Sequence, residues 1–255
     1  PNSIRIYTRD VLTSCDLSNQ LKKEVLFLGN PFIDRLLKNN IKESNNSFNI
    51  ALLPGSRINE LINNFDLMLD IIQKLSNYKF FKKIRFNFAL SSDLRKEIVH
   101  HKLAMRNWQF EEMFSNDFKL LYSYQFIKVF FKWNSFENIL INSDFAISMS
   151  GTASEQVVGM SKPVIQVEGK GPQFTKGFAE AQRRLLGQHV YCFTNYSNKS
   201  EQIDGTINLI MKIMYLMKLD KSFVKSCKDN ARKRLGNKDA TAKITSDIEK
   251  NLMND

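Results

Sequence analysis

The sequence is short of the residues that hold small or secreted folds together. Its three cysteines, Cys15, Cys192 and Cys227, are far apart, with no CxxC pair and no histidine at ligand spacing. That argues against a disulfide framework or a zinc site, and suits a reducing cytosol. Histidine is as scarce: His100, His101 and His189 have no suitable nucleophile nearby, and no Ser-His-Asp grouping can be drawn. A DxD carboxylate pair is absent too, so neither a metal nor another cofactor is expected. No apolar run approaches the roughly 18 residues that cross a bilayer, and no signal peptide opens the chain. The first residue is Pro1 rather than Met, as in a segment taken from something longer.

What is present reads as an ordinary globular protein. The 255 residues are 43% hydrophobic and 25% charged, enough to bury a core without staples. Lys and Arg outnumber Asp and Glu by 37 to 26, a net charge of +11. Such a surplus favours phosphates, nucleic acid or an anionic membrane face. No nucleic-acid-binding motif and no interleaved aromatic platform occurs, so nucleic acid is not the expected partner.

The apolar pattern alternates short strands with helices. Strands are expected at Ile4–Tyr7, Val25–Leu28, Phe48–Leu53, Ile84–Leu90, Lys119–Tyr124, Phe126–Trp133, Asp144–Met149, Pro163–Val167 and His189–Phe193. Helices are expected at Ile58–Leu75, Asp93–Leu103, Ser135–Ile141, Thr152–Met160 and Ala179–Leu186. Lys38–Ser47 is polar and Asn-rich, as a linker or exposed loop would be. This alternation predicts an α/β fold with a parallel sheet covered on both faces. The C-terminal quarter is helical, with one stripe at Ile203, Ile207, Ile210, Met214 and Met217 and another at Phe223, Cys227, Ala231 and Leu235. Lys221, Lys225, Lys228, Arg232, Lys233 and Arg234 crowd the second helix. They make either a solvated face or a patch for an anionic surface.

Ligands of an open parallel sheet sit beyond the carboxyl ends of its strands. Two strand-to-helix turns there have the right chemistry. In Pro54-Gly55-Ser56-Arg57, Gly55 permits a tight turn, Ser56 can cap the next helix, and Arg57 offers a planar fork to a phosphate. In Ser150-Gly151-Thr152, small residues at a helix start leave N–H groups open to an anion. Glu155 and Gln156 follow about one turn later, where they can bond ribose hydroxyls. A third loop, Gly169 to Thr175, adds Lys170, Gln173 and Phe174. Ordinary helix capping explains each turn separately; three at one edge favour a phosphate ligand.

Leu52 to Arg57 with Glu60, Leu28-Gly29-Asn30-Pro31-Phe32-Ile33-Asp34, and Ser150 to Pro163 resemble, respectively, the LLPGSRxxE, G-H/N-P-x-x-D and SGTAxLE…GKP motifs of the lipid-A-disaccharide synthase family. The resemblance runs through most of residues 25–190. It is closer still to the related proteins of cyanobacterial type, through Lys162–Gln166, Gly171–Thr175, Phe178–Gln182 and Leu185–Gly187. It implies a GT-B glycosyltransferase whose donor half is this chain, passing a hexosamine-type sugar from UDP to a glycolipid. The general base would lie in an N-terminal acceptor domain.

On this resemblance residues 1–40 are the end of that domain and the junction, 41–200 the nucleotide-sugar-binding domain, and 201–255 helices packed on it. Gly55, Ser56, Arg57, Ser150, Gly151 and Thr152 would hold the diphosphate, and Glu155, Gln156 and Gln173 the ribose or sugar. The family's ribose-binding glutamate falls on Gln156, with the acid one residue earlier at Glu155. A work site at the inner, anionic membrane face of the cytoplasm is also implied. A catalytically silent UDP-sugar-binding module and a UDP-sugar 2-epimerase-like protein are the alternatives.

Overall fold

In the computed structural model, residues 5–38, 47–114, 119–169 and 175–253 are described. The continuous apolar run Phe48–Leu53 forms β1, buried along nearly its whole length, as a strand covered on both faces must be. It pairs in parallel with β2 (Ile84–Leu90) on one side and β6 (Phe145–Ser148) on the other. Beyond β2 lies β5 (Ile127–Trp133), and beyond β6 come β7 (Val164–Gln166) and β8 (Val190–Cys192), all parallel.

The far edge departs from the all-parallel expectation. β3 (Gln109–Phe114) and β4 (Lys119–Tyr124) pair antiparallel, as do β4 and β5. Tyr124 and Ile127 face each other across a two-residue turn in which Gln125 has φ +53°. A hairpin this tight needs no crossover helix, so the strand direction reverses there. Among the described residues the sheet order is β3-β4-β5-β2-β1-β6-β7-β8. The chain builds outward from β1 on one side, then returns to build outward on the other.

The two sheet faces are packed differently. On one, Ile50, Leu52, Phe86, Phe88 and Phe131 meet Phe65 and Met68 of α3 (Ile58–Leu75), and Ile207 and Ile210 of α8 (Lys199–Leu219). Phe88 and Phe131 stack with centroids 5.0 Å apart, and Phe65 tilts onto Phe88 at the same distance. Burial of each such side chain contributes about 1.5–3 kcal/mol. At the centre of the other face β1 and β6 present small residues, Ala51 and Ala146, with Leu53 and Val164 beside them. There α2 (Pro31–Lys38), α5 (Phe136–Asn142) and α6 (Gly151–Gly159) come in close. A Cβ on Gly159 would lie 2.4 Å from Ile33 Cγ2, so only glycine permits that approach of α6 to α2.

Around these stand α4 (Lys96–Ala104), α7 (Lys176–Leu186), α9 (Lys221–Leu235) and α10 (Ala240–Leu252). The stripe Phe223, Cys227, Ala231 and Leu235 is buried as its spacing predicts. The first strands do not form as expected. Of Ile4–Tyr7 and Val25–Leu28 there remains a single bridge, Tyr7 to Leu26 (residue 4 lies outside the described residues). Between them runs a helix, α1 (Val11–Leu21), capped by Asp10, whose carboxylate accepts from Thr13 N–H at 2.8 Å. Of the expected linker, residues 39–46 lie outside the described residues.

The N-terminal segment is bound to the C-terminal helices. The α10 N-cap residue, Asp239, makes no side-chain cap bond. Asp34 replaces it from across the fold, accepting from Ala240 N–H at 3.1 Å, Thr241 N–H at 2.8 Å and the Thr241 hydroxyl at 2.7 Å. Burial works to raise the Asp34 pKa, but these bonds outweigh it and hold the carboxyl below its usual range. Tyr7 donates to Asp247 at 2.7 Å, and Arg5 to Asn251 at 3.1 Å.

Candidate functional site at the switch point

The strand order reverses at β1, so the loops after β1 and β6 diverge and leave a crevice between them, the usual binding position in open α/β sheets. A cavity of about 340 Å³ lies there, lined by Gly55, Ser56, Arg57, Glu60, Met149, Ser150, Gly151, Thr152 and Glu155, with Arg9, Phe178 and Gln182. Seven of the nine site residues expected from the sequence thus come together. Gln173 lies outside the described residues. Gln156 is not part of the lining; its amide donates to Phe32 O at 3.3 Å.

The first loop is held by its backbone. Gly55 has φ +99°, which L side chains rarely adopt, and a Cβ there would lie 3.5 Å from Met149 O. Asn64 donates to Pro54 O at 2.8 Å and ties the turn to α3. Ser56 does not cap α3 as expected. The N-cap position falls one residue later, on Arg57, which makes no side-chain cap bond. The Arg57 side chain is 62% exposed and stands 3.8 Å from Glu60, a loose pair that leaves the guanidinium open to a ligand.

The second loop is held by hydroxyls. Ser154, fully buried, donates to Ser150 O at 2.7 Å and lies 3.0 Å from Ser148 Oγ. Ser148 Oγ accepts from Ser150 N–H at 3.3 Å, and Gln166 Nε2 donates to Ser154 Oγ at 3.3 Å. Ser150 is the N-cap of α6 and makes no side-chain cap bond. The first-turn N–H groups of α6 thus remain without a side-chain cap and attract negative charge. Phe178 closes over this turn, 3.2 Å from where a Gly151 Cβ would stand.

Two features escaped the sequence reading. Arg9 reaches the cavity from the segment before α1, its guanidinium 5.6 Å above the Phe32 ring. Glu155, expected at the ribose, instead turns toward that segment. It accepts a bond from Asn30 Nδ2 and pairs with Arg9 at 3.4 Å. Burial pushes the Glu155 pKa up, Arg9 and Asn30 pull against it, and Asp10 adds to the rise. The segment around Asn30 and Asp34 thus has structural duties, seating Glu155 and capping α10.

A second hollow of about 520 Å³ lies beside the ends of β7 and β8, lined in part by Leu67, Glu168, Tyr196 and Gln202. A narrow cleft lined by Met149, Ser150, Glu168 and Phe178 shares residues with both. Tyr196 donates to Glu168 at 2.7 Å, and its pKa is pushed up to about 12, first by burial and then by that bond. Among the described residues no group of His, Cys, Asp and Glu could hold a metal ion. No described helix is long and apolar enough to cross a membrane.

No family model and no curated protein matches the sequence. Solved structures do match in fold. A Listeria monocytogenes protein designated a UDP-N-acetylglucosamine 2-epimerase is similar with a TM-score of 0.61 at 14% identity, over 99% of this chain and 61% of that one. The S. aureus MnaA–UDP structure gives 0.59 at 14%, over 96% and 60%. A Neisseria meningitidis UDP-GlcNAc 2-epimerase bound to UDP-GlcNAc gives 0.57 at 16%, over 97% and 61%. These likenesses show an α/β, GT-B-like fold of Rossmann type with a helical C-terminus. The chain spans about three fifths of the length of these structures.

The expected kinship with lipid-A-disaccharide synthases, cyanobacterial type included, is overturned. Two of the structural neighbours above are designated UDP-GlcNAc 2-epimerases, and no family model supports the motif resemblance. The glycosyltransferase reading, with its lipid A pathway and glycolipid acceptor, falls with it. The reason is physical: two of the three quoted motifs open on the turns after β1 and β6, where Pro, Gly, Ser and Thr serve a shared fold rather than one reaction, and the third, Leu28–Asp34, seats Glu155 and caps α10.

Proposed function

We propose that this chain binds a UDP-sugar across the β1–β6 switch point, as part of an enzyme of the UDP-sugar 2-epimerase type. The observation that carries this is the cavity itself: two arginines, Arg9 and Arg57, face an α6 N-terminus without a side-chain cap across glycine-shaped loops. An open helix N-terminus with two guanidinium forks beside it suits a diphosphate, which would draw both arginines from their glutamates. Gly55, Ser56, Arg57, Ser150, Gly151 and Thr152 would hold the diphosphate, and the hollow beside Leu67 and Tyr196 has room for the nucleoside. Two of the fold neighbours were solved with UDP or UDP-GlcNAc, which supports uridine as the base. Residues 41–200 would be the nucleotide-binding unit, with 1–40 and 201–255 packed against it.

Epimerisation at carbon needs a proton removed and returned, hence acid–base groups at the sugar. Glu60 and Glu155 are the carboxylates of the cavity, and each is paired with an arginine. That pairing favours a second reading, a binding module without turnover of its own. One experiment separates the two: calorimetric titration with UDP-GlcNAc, UDP and ADP, followed by proton NMR of UDP-GlcNAc in heavy water. Uridine nucleotides should be preferred, with Kd on the order of micromolar to millimolar. Deuterium entering at C2 establishes the epimerase type; binding without exchange leaves the silent module. Equal or absent binding of all three nucleotides to folded protein removes both.

A further inference from the structure

We propose that Glu155 is an acidic gate on this cavity: it competes with the ligand diphosphate for Arg9, so that neutralising it strengthens nucleotide binding. This rests on the UDP-sugar reading of the same cavity and assigns Glu155 a role opposite to a ribose contact.

Both oxygens of Glu155 are already engaged. Oε1 accepts from Asn30 Nδ2, and Oε2 faces Arg9 Nη1 at 3.4 Å. Asn30 is fully buried, and its own Oδ1 accepts from Phe32 N–H at 2.9 Å. That bond fixes the amide so that only its NH2 can point at Glu155. The carboxylate side chain is 11% exposed, whereas that of Arg9 is 56% exposed. Of the two partners, then, the glutamate is held and the arginine is able to move. The Phe32 ring under the guanidinium keeps Arg9 beside the cavity without tying it to one acceptor.

A buried carboxylate in the wall of a phosphate site repels the ligand and holds a cation the ligand needs. A diphosphate arriving at the α6 N-terminus offers Arg9 more charge and a bidentate acceptor. Arg9 then turns from Glu155 to the ligand. A ribose contact would have to share oxygens that already meet Asn30 and Arg9, whereas a diphosphate needs only the exposed Arg9 to turn.

The test titrates UDP, uridine and pyrophosphate into wild type, Glu155→Gln, Arg9→Gln and the double variant, each checked for folding by thermal denaturation. Glutamine keeps an acceptor for Asn30 and loses the charge. Glu155→Gln should tighten UDP and pyrophosphate about three- to tenfold and leave uridine unchanged, since removing a like charge and freeing a cation act on the phosphates alone. Arg9→Gln should weaken both phosphates by about tenfold. In the double variant most of the gain from Glu155→Gln should vanish, because the two residues are coupled. If Glu155→Gln does not fold, Glu155→Asp, which draws the charge back by one methylene, should show the same sign at about twofold. UDP and uridine weakened alike by Glu155→Gln would overturn the gate in favour of a ribose contact, and unchanged UDP would overturn it outright. Pyrophosphate that binds and tightens as expected, with UDP no better than pyrophosphate, would end the UDP-sugar reading and leave the gate standing.

Discussion

Two cationic regions lie at opposite ends of the sheet, and they are built differently. At the carboxyl ends of β1 and β6, Arg9 and Arg57 face a cavity whose walls are fixed by a positive-φ glycine and a chain of buried hydroxyls. Each arginine is balanced by a nearby glutamate. At the other end, Lys225, Lys233 and Arg234 line an open hollow of about 510 Å³ between α9 and the turn before β8. There Lys221, Lys225, Lys228, Arg232 and Lys233 are exposed, on a helix whose apolar stripe is spent on the protein core. The cations of the α9 face thus say little about specificity. Two arginines in a shaped cavity say more than five cations on a helix face.

Breaking the built end should have the largest effect. Arg57→Ala should weaken UDP by about ten- to hundredfold, the loss of a charge-assisted bond of roughly 1.5–3 kcal/mol, and leave uridine nearly unchanged. Arg57→Lys should fall between, because lysine lacks the planar fork. Unchanged UDP affinity in Arg57→Ala by calorimetry would reduce the residue to a surface charge.

The next effect is on the frame of the second loop. Ser154→Ala removes the hydroxyl that serves Ser150 O and Gln166 Nε2, and Gln166 Oε1 is already without a partner among the described residues. The fold should lose about 1–2 kcal/mol in urea denaturation, the cost of leaving buried polar groups unmade. Full stability would mean the loop is held by its backbone alone.

The smallest effect belongs to the solvated end. Lys225→Glu combined with Lys228→Glu should leave UDP affinity unchanged by calorimetry and stability within about 0.5 kcal/mol, as for a solvated helix face. A loss of UDP affinity would show that these cations act on the ligand.

Where side chains repeat on a period, the sequence was legible. Phe48–Leu53, Ile58–Leu75 and Ile84–Leu90 form as expected, because each buries a continuous or helical apolar pattern. The helix Val11–Leu21 has little apolar pattern; its readable signal was a local one, Asp10 three residues before Thr13. β3 is exposed along nearly its whole length and exists only through its pairing with β4, so no alternation announces it. At the site, the two turns were visible because Gly and Ser are demanded locally. Arg9 was not, since it arrives from a segment more than a hundred residues from α6, and only the fold sets that distance. The direction of Glu155 was likewise decided by Asn30, a partner 125 residues away in sequence.

The clasp between the two ends of the chain also sets an order of assembly. Asp34 to Thr241, Tyr7 to Asp247 and Arg5 to Asn251 close over separations of 207, 240 and 246 residues. Contacts so distant are entropically slow to form and follow the local β–α–β pairings. The segment carrying Arg9 is bound to Leu26 on one side and to α10 on the other, so it has its full set of contacts only once α10 has docked. During refolding, the sheet and its aromatic core should be complete before the cavity has its second arginine, and the ability to hold a diphosphate should be the last property the chain regains.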